Sequence, residues 1–421
     1  MLRLALVTGV LAFVGALPGA LIAAGDPVIA AAGDISCDPA STGYSGGNGD
    51  ATRCHMRVTS DLLVGAGLSA VLPLGDNQYY CGSLLAYQQS YDPTWGRVKA
   101  ISHPAIGNHE YITATGVAGT GGTGCGSSNS GAAGHFGYWG PQAGPSGKAY
   151  YSYDIGGWHL IALNSNCGNV GGCDPSSAQG KWLAADLAAN TKACTLAYWH
   201  IPLFSSGGRA AINSKDLWTQ LAAAKADVVL NGHDHIYERF APQNADGVAD
   251  VNGIREFIAG TGGSGHTTLA TPAANTVVTN TDTFGVLKLT LHPAGYDWSF
   301  VPEPGKTFTD SGSAACHRVG AVSPPPSTSP IRIDLKVKVL RSKKGVRRVT
   351  ARLIRPRLVH AYFVLRVDGT MSRVRVRIVL VGQRGRIRGN IVRRIPTNRP
   401  VRLAGLPVPS LTPSMRVAIL S

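Results

Sequence analysis

Short apolar runs that each end in a polar residue recur through most of the first 300 positions of the chain. The runs at 26–36 and 70–74 are typical of strands that are buried on both faces of a sheet. Stretches with apolar residues at helical spacing lie between such runs, most plainly at 178–189, and a single helix is also expected at 87–99. This alternation predicts an α/β fold, an α+β sandwich of mixed β-sheets flanked by helices.

A different pattern begins after position 330, where apolar residues alternate with polar ones, mostly Arg and Lys. Such alternation predicts strands with one buried and one exposed face. We expect these strands at 331–339, 346–354, 361–367, 372–381 and 386–395, in a small antiparallel all-β domain that covers 331–421. The Pro-rich stretch 321–330 predicts a semi-rigid linker, which leaves 25–320 as the first domain.

The charge divides along the same boundary. Segment 321–421 carries 23 of the 39 Lys and Arg residues but two of the 24 Asp and Glu residues, so its net charge is +21 and that of the remainder is −6. We expect the basic domain to bind an anionic cell-wall polymer, nucleic acid or lipid headgroups without sequence specificity. Its two aromatic residues, Tyr362 and Phe363, are too few to stack the bases of a single strand. There are two alternatives. The basic domain could dock on the acidic domain, or it could be a soluble module whose exposed face happens to be rich in Arg.

The first 24 residues resemble a secretory signal peptide, because Arg3 precedes an apolar stretch that ends in small residues. An uncleaved membrane anchor is the alternative, since about 20 apolar residues span a bilayer. After cleavage, no later run is long and apolar enough to span. The eight Cys residues fit an oxidising compartment, so the sequence predicts disulfides and a secreted or cell-envelope location. Their pairing cannot be deduced, although Cys167 with Cys173 is expected to close a short Gly-rich loop.

Polar side chains suited to metal binding follow several of the predicted strands. They comprise carboxylates, imidazoles, an amide and a phenol: Asp34, Asp76, Tyr79, Asn108, His109, His200, His233 and His235. Ligands of open α/β sheets bind at the carboxyl ends of strands, and these donor types suit hard or borderline cations. Asp76 has two carboxylate oxygens and could bridge two ions, a pair of which about 3.5–4 Å apart suits displacement at phosphorus. These residues could therefore form a two-metal site of the kind that suits reaction at phosphorus.

Four spaced motifs carry a resemblance to a known family. They are Gly33-Asp34, Gly75-Asp76-x-x-Tyr79, Gly107-Asn108-His109-Glu110 and Gly232-His233-x-His235, and His200 lies between the last two. Their order resembles that of the calcineurin-like metallophosphoesterases. Gly-Asp-x-x-Tyr, together with Tyr237-Glu238-Arg239, resembles the purple acid phosphatase branch of that family. The resemblance covers roughly 26–305, and it depends on the motifs as a set.

The resemblance implies an acid phosphatase-like hydrolase that cleaves small-molecule phosphomonoesters by attack of a metal-bound hydroxide, and the signal-like N-terminus predicts that it is exported. By the same resemblance, one ion is bound by Asp34, Asp76, Tyr79 and His235, and the other by Asp76, Asn108, His200 and His233. A phenolate ligand favours Fe(III) as the first ion, and the second is then Zn, Mn or Fe(II). His109 is the expected catalytic residue, in contact with the phosphate or the leaving group.

Two departures from the family pattern keep parts of this prediction open. Family members often carry a further His after the position of His200, whereas none occurs in 201–209. Arg209 is the candidate substrate-binding residue there, although its pKa above about 12 prevents it from acting as a general acid. The extra β-domain lies at the C-terminus, whereas plant-type members carry one at the N-terminus, so no shared accessory function is assumed.

Several alternatives remain at this point. The same metal site could serve a phosphodiesterase or a nucleotidase, or it could be vestigial in a surface polymer-binding protein. Tyr79 could be a packed aromatic at the rim, which would leave an ordinary di-Mn or di-Zn enzyme. His135 and His266 lie in Gly-rich loops that could reach the pocket.

Overall fold

The computed structural model describes residues 25–113 and 122–318, the strands of the C-terminal segment, and residues 370 and 398. The chain divides into two compact units, Met1–Val322 and Ser323–Ser421. The predicted signal peptide (1–24) and linker (321–330) lie outside the described residues. The domain boundaries given above therefore stay predictions.

Twelve described strands of the first unit form two sheets. They are β1 (Val28–Ala32), β2 (Ala70–Pro73), β3 (Tyr151–Ile155), β4 (Trp158–Ala162), β5 (Cys194–Tyr198), β6 (Val228–Asn231), β7 (Tyr237–Phe240), β8 (Arg255–Ala259), β9 (Thr276–Asn280), β10 (Gly285–His292), β11 (Gly295–Pro302) and β12 (Ser311–Ala315). One sheet has the order β12-β11-β10-β1-β2 and the other the order β3-β4-β5-β6-β8-β7-β9. Both mix parallel and antiparallel pairs, which confirms the predicted fold class.

Short helices connect these strands. The α-helices are α1 (Met56–Asp61), α2 (Leu84–Ala86), α3 (Ala133–Trp139), α4 (Ala178–Ala189) and α5 (Lys215–Ala223). The remaining helical turns are Ser45–Gly47, Tyr87–Tyr91, Trp95–Ile101, His109–Tyr111, Ser127–Ala132, Gly140–Ala143, Cys167–Asn169 and Ile212–Ser214. α4 has the predicted bounds, and it begins where the Ser177 hydroxyl accepts a hydrogen bond from the Gly180 N–H at 3.0 Å.

The single helix expected at 87–99 is wrong. The structure has a π-helical turn at Tyr87–Tyr91 and a separate 3-10 segment at Trp95–Ile101. Pro93 lies between them, has no N–H to donate and restricts the backbone of the residue before it. A regular helix therefore cannot continue through this stretch.

Three buried layers of apolar side chains hold the two sheets and their helices together. The central layer lies between the sheets, where Ile29 and Leu287 of one sheet share a cluster with Leu196 and Phe257 of the other. α1 and the turns after it cover the outer face of the five-stranded sheet. α4 and α5 cover the outer face of the seven-stranded sheet. Strands buried on both faces explain the continuous apolar runs in the sequence.

The described strands of the C-terminal unit form two four-stranded sheets. They are β13 (Ile331–Asp334), β14 (Val337–Arg341), β15 (Val346–Arg355), β16 (Tyr362–Gly369), β17 (Arg373–Val381), β18 (Ile387–Pro396), β19 (Pro400–Leu403) and β20 (Ser414–Ile419). The orders are β13-β15-β16-β19 and β14-β20-β17-β18. The expected purely antiparallel arrangement needs correction, because β14 and β20 pair in parallel. Their wide separation along the chain supplies the long connection that a parallel pair needs.

Four disulfides link the eight cysteines: Cys37–Cys54, Cys81–Cys125, Cys167–Cys173 and Cys194–Cys316. The expected Cys167–Cys173 pair is therefore confirmed. Within the part of the chain that the structure describes, no helix combines the length and the apolar character needed to cross a membrane.

Candidate metal centre

The predicted ligands follow the carboxyl ends of strands that run in parallel. Asp34 follows β1, Asp76 follows β2, and His200 follows β5. β1 pairs with β2, and β5 with β6, in parallel register. The carboxyl ends of parallel strands meet at one edge within each sheet. The two edges face each other, since His200 Nε2 of the seven-stranded sheet lies 3.1 Å from Asp76 Oδ2 of the five-stranded sheet.

The turns that present these ligands have unusual backbone angles. Asp34, Asp76 and His233 have positive φ values of 58°, 44° and 72°. Left-handed backbone is costly for residues other than Gly, and at functional sites it persists where the surroundings impose it. Gly75 just before Asp76 is also left-handed, and a Cβ there would lie 2.6 Å from His200 Cβ. The close approach of these two turns therefore requires Gly at position 75.

A first group of side chains meets around the Tyr79 hydroxyl. That oxygen lies 2.9 Å from Asp34 Oδ1, 3.1 Å from Asp76 Oδ2 and 3.0 Å from His235 Nε2. His235 Nε2 is also 3.2 Å from Asp34 Oδ1. Tyr79 is thus part of the cluster, and not an aromatic that merely packs at its rim.

A second group meets around His200 Nε2. That atom lies 3.1 Å from Asp76 Oδ2, 3.1 Å from Asn108 Oδ1 and 3.2 Å from His233 Nδ1. Ligand atoms of Asp76, His200 and His233 all lie within 4.8 Å of one another, so they could hold a metal ion. Asp76 Oδ2 contacts both groups, and these are the two sets that the resemblance implied.

The chemistry of the second group fits a cation better than a hydrogen-bond network. His200 Nδ1 lies 2.9 Å from the Leu74 carbonyl oxygen and donates a hydrogen bond to it. The other ring nitrogen, Nε2, therefore faces the cluster. Metal-binding imidazoles usually donate their second N–H in this way. His200 Nε2 carries at most one hydrogen, which cannot satisfy its three neighbouring atoms at once. Two of these neighbours, the Asp76 and Asn108 oxygens, can only accept hydrogen bonds. A cation at their meeting point would satisfy all of these lone pairs.

The buried charges shift one another's pKa values. Burial favours the neutral form of Asp34 and Asp76, but nearby imidazoles lower the pKa of both carboxyls, His235 acting on Asp34 and His200 on Asp76. Burial opposes the charged form of His200 as well, yet Asp76 raises its pKa to about 9. Burial lowers the pKa of His233 to about 4. Because metals bind neutral imidazole, His200 must lose a proton when a cation binds, and affinity should rise with pH.

The phenol of Tyr79 has a pKa raised well above 10, by burial first and then by the Asp34 and Asp76 charges. The hydroxyl therefore keeps its proton beside these two carboxylates. A bound cation reverses that balance, because positive charge favours the phenolate.

His109 lies at the edge of the cluster. Its Nδ1 is 2.7 Å from the Tyr80 carbonyl, its backbone N–H donates to Asp76 Oδ1 at 2.9 Å, and its Nε2 is 3.9 Å from Asp76 Oδ2. About a fifth of its side chain is exposed. The contact with Tyr80 directs Nε2 toward the ligands and leaves it accessible from solvent.

Three further candidates lie less close to the ligands. Arg209 is half exposed, and its Nε is 4.0 Å from Asp234 Oδ1. Its charge contributes to the lowered pKa of His233, after burial and His200, so it is a rim residue. His135 is fully buried against the Tyr87 hydroxyl at 3.2 Å and does not reach the cluster. His266 stacks on Phe284 at 3.9 Å between ring centroids, with Nδ1 3.4 Å from the His235 carbonyl.

Two buried carboxylates support the site. Glu110 accepts hydrogen bonds from the backbone N–H groups of Asn77 and Gly107, both at 2.8 Å, so it fixes the turns that carry Asp76 and Asn108. Burial and the Asp76 charge raise its pKa to about 7. Asp38 accepts from the Tyr80 and Thr123 N–H groups. The sequence did not single out Asp38, because its role depends on a partner 85 positions away.

Comparisons with known proteins find relatives of this chain, although no family model matches it. Purple acid phosphatase 15 of Arabidopsis thaliana is 35% identical over 105 residues, which cover 23% of this chain and 19% of the relative. Purple acid phosphatase 13 of the same plant is 27% identical over 173 residues, or 38% of this chain and 30% of the relative. The resemblance to purple acid phosphatase-like metallophosphoesterases is confirmed.

A solved structure extends the purple acid phosphatase likeness to the fold. The purple acid phosphatase from yellow lupin (Lupinus luteus) seeds superposes with a TM-score of 0.52 at 16% identity, over 72% of this chain and 57% of the lupin chain. Identity at this level shows the fold alone. The matches with the two Arabidopsis proteins span about a fifth to a third of those proteins' length.

Proposed function

We propose that the chain is an exported, binuclear metal-dependent phosphatase that hydrolyses phosphomonoesters. The observation that carries the proposal is the position of Asp76 Oδ2, which lies 3.1 Å from both the Tyr79 hydroxyl and His200 Nε2. One carboxylate oxygen therefore faces both groups of ligands. A shared carboxylate is what two neighbouring cations require.

Each side chain has a proposed part in the site. Asp34, Asp76, Tyr79 and His235 would hold one ion, and Asp76, Asn108, His200 and His233 the other. The hard, anionic phenolate of Tyr79 favours Fe(III) in the first position, with Zn, Mn or Fe(II) in the second. Bound cations would supply Lewis acidity, which makes water nucleophilic near neutral pH and offsets the negative charge of the phosphate.

His109 is the residue proposed to act on the substrate directly. With its Nδ1–H donated to the Tyr80 carbonyl, the protonated imidazole has an Nε2–H free to donate a hydrogen bond to a phosphate oxygen or a proton to the leaving alkoxide. Arg209 is proposed as a weaker contact for phosphate at the rim.

Metal analysis and paired assays on the full chain test the proposed activity. We expect about two ions per chain, with p-nitrophenyl phosphate hydrolysed faster than its bis ester. A chelator should abolish the hydrolysis and added metal should restore it. Faster cleavage of the bis ester would instead indicate a phosphodiesterase, and activity that survives complete loss of metal would overturn the proposal.

The identity of the first ion has its own test. A tyrosinate–Fe(III) pair absorbs visible light, so a coloured enzyme should lose its band in Tyr79→Phe. The variant Tyr151→Phe, whose hydroxyl bonds to the Pro104 carbonyl at 2.9 Å, serves as a matched control. A colourless, iron-free and active enzyme would exclude Fe(III).

Export is proposed on the basis of the four disulfides, which persist in oxidising compartments. The test is to fractionate the native host and locate the mature chain by mass spectrometry. Recovery of a reduced chain from the cytoplasm would contradict export.

For the C-terminal unit we propose non-specific binding of an anionic polymer. Arg373 and Arg375 lie two positions apart on β17 and are exposed, whereas Val376 is buried. The register places Arg394 of β18 opposite Arg375, so the basic positions continue across the sheet. Replacing Arg373 and Arg375 with Gln should lower the salt concentration that elutes the protein from immobilised polyphosphate. Lys181 and Lys225, both exposed in the first unit, provide a control pair with the same charge change.

A further inference from the structure

A cavity of about 200 Å³ adjoins the first group of ligands. Tyr79 and His235 line one part of it, and Tyr80 and Ser264 extend that wall. The remaining lining comes from residues of the loop between Cys37 and Cys54, including Ser41 and Arg53. A group attached to a phosphate at the ligands would therefore find room here.

Arg53 lines this cavity with a positive charge, which attracts the exposed Asp50 carboxylate three positions earlier but forms no ion pair with it within 4.0 Å. Its backbone is fixed, because its N–H donates to Asp50 Oδ1 at 3.2 Å and the next residue, Cys54, is bonded to Cys37. Its side chain is exposed, and within the described ranges it forms no ion pair shorter than 4.0 Å. The backbone of Arg53 is thus held beside the cavity, and its exposed guanidinium is available to an anion.

The one carboxylate in the cavity wall does not cancel this charge. Asp38 is almost fully buried, and its two oxygens accept hydrogen bonds from the N–H groups of Ala40, Tyr80 and Thr123 and from the Thr123 hydroxyl. These donors hold the carboxylate in place, and it forms no ion pair with Arg53 within 4.0 Å. Asp38 instead joins the loop that carries Arg53 to the segment that carries Tyr79 and Tyr80.

The rest of the lining suits an organic group that carries a charge. Tyr80 is half-buried and offers an aromatic wall, and its ring stands edge-on to His109 with centroids 5.1 Å apart. Ser41 and Ser264 add hydroxyl groups to the lining. Since Tyr80 touches both His109 and the cavity, a leaving group beside His109 can extend along it.

We propose that this cavity binds the alcohol part of the substrate and that Arg53 binds a second anionic group on it. The inference rests on the proposed phosphatase function and specifies its substrate class. That class is organic phosphomonoesters that carry an additional carboxylate or phosphate. Arg is well suited to either group, because its planar guanidinium pairs with both in a bidentate manner.

The test compares two substrates that differ by one charge, phenyl phosphate and 3-carboxyphenyl phosphate, with the full-length protein. Arg53→Ala should lower kcat/KM for the carboxylated substrate about tenfold more than for phenyl phosphate. A tenfold difference is the effect expected from the loss of one charge-assisted hydrogen bond at a partly exposed site. Comparing each substrate with itself across variants removes differences in leaving-group reactivity. Arg53→Lys should recover part of the loss.

Arg57→Ala is the matched control, because Arg57 lies four positions further on in α1 and does not line the cavity. It should leave both substrates unaffected. Equal losses for the two substrates in Arg53→Ala, or the same selective loss in Arg57→Ala, would overturn the subsite. If neither substrate is hydrolysed by the wild-type protein with metals supplied, the proposed phosphatase function fails, and the subsite fails with it.

Discussion

At the scale of single residues, Asp76 is the side chain on which the candidate site depends most. It has a left-handed backbone, is nearly fully buried, and faces Tyr79 on one side and His200 on the other. The sequence indicated its importance, because Gly-Asp after an apolar run places a carboxylate at a strand end. The sequence could not show that one of its oxygens contacts both ligand groups.

Replacing Asp76 with Asn keeps the size of the side chain but removes the negative charge and one acceptor oxygen. We expect the variant to lose bound metal and its kcat/KM to fall by more than about a hundredfold. Loss of a residue that only orients a metal ligand costs at most about a hundredfold, so a ligand itself should cost more. Metal content and p-nitrophenyl phosphate turnover measure this. Asp216→Asn, exposed on α5, should change neither quantity. A fully active, metal-loaded Asp76→Asn protein would show that the two ligand groups do not share this carboxylate.

At the scale of elements, the strand-to-loop turns decide the geometry of the site. The runs before Asp34, Asp76 and His200 were predicted as strands, and each ends in a structured turn. The strands β7, β9, β11 and β12 were not predicted. β12 is exposed along most of its length, and its sequence has no alternation of apolar and polar residues. Only its backbone hydrogen bonds with β11 identify it as a strand.

Gly75→Ala tests how closely the turn after β2 must approach His200. The added Cβ would meet His200 Cβ at 2.6 Å, so we expect His200 to move, metal binding to weaken and activity to fall. Gly65→Ala isolates the backbone cost of about 1 kcal/mol, since Gly65 is also left-handed, with φ +70°, and has open space around it. Equal behaviour of the two variants in unfolding and metal-binding measurements would contradict the required close approach.

The link between the N-terminus of α1 and the end of β11 should depend on pH. His55 Nδ1 lies 2.5 Å from Glu303 Oε2, and Nε2 lies 2.6 Å from the Asp50 carbonyl. The hydrogen bond with Glu303 raises the pKa of His55 above its usual 6.5. The folded protein therefore binds the His55 proton more tightly than the unfolded chain does. The hydrogen bond contributes its full stabilisation of the fold below pH 6.5, and this contribution is lost as the pH rises through the raised pKa of His55.

We expect His55→Gln to destabilise the protein at pH 6 and to have a smaller effect at pH 9, measured as the shift in the urea midpoint. Glu303→Gln should remove the same pH dependence from the other side of the pair. A His55→Gln effect that is equal at the two pH values would mean that the imidazole is neutral in the folded protein.

At the scale of the whole molecule, the two sheets of the first unit are joined by a buried apolar layer and by a disulfide. Cys194 begins β5 of the seven-stranded sheet, and Cys316 follows β12 at the edge of the five-stranded sheet. The ligand His200 lies beyond the opposite end of β5. The disulfide should therefore contribute to stability without shaping the metal centre.

Replacing Cys194 and Cys316 with Ala should cost up to about 5 kcal/mol by the loop-entropy relation, since the bridge closes a loop of 122 residues. The same change at Cys167 and Cys173, which are 6 residues apart, should cost about 2 kcal/mol. Denaturant unfolding compares the two variants, and residual turnover checks the site. A larger loss of stability from the short loop would contradict the entropic explanation.

The sequence by itself determined the fold class, the change of pattern after position 330 and the set of candidate ligands. These follow from local periodicity and from polar residues placed at strand ends, which neighbouring positions reveal. The tertiary structure decided the other three disulfide pairs, the parallel pairing of β14 with β20, the position of Asp76 Oδ2 between the two ligand groups, and the cavity that brings Arg53 near Tyr79. Those features join residues that are far apart in the chain, and which distant residues meet depends on how the sheets pack and not on any local pattern.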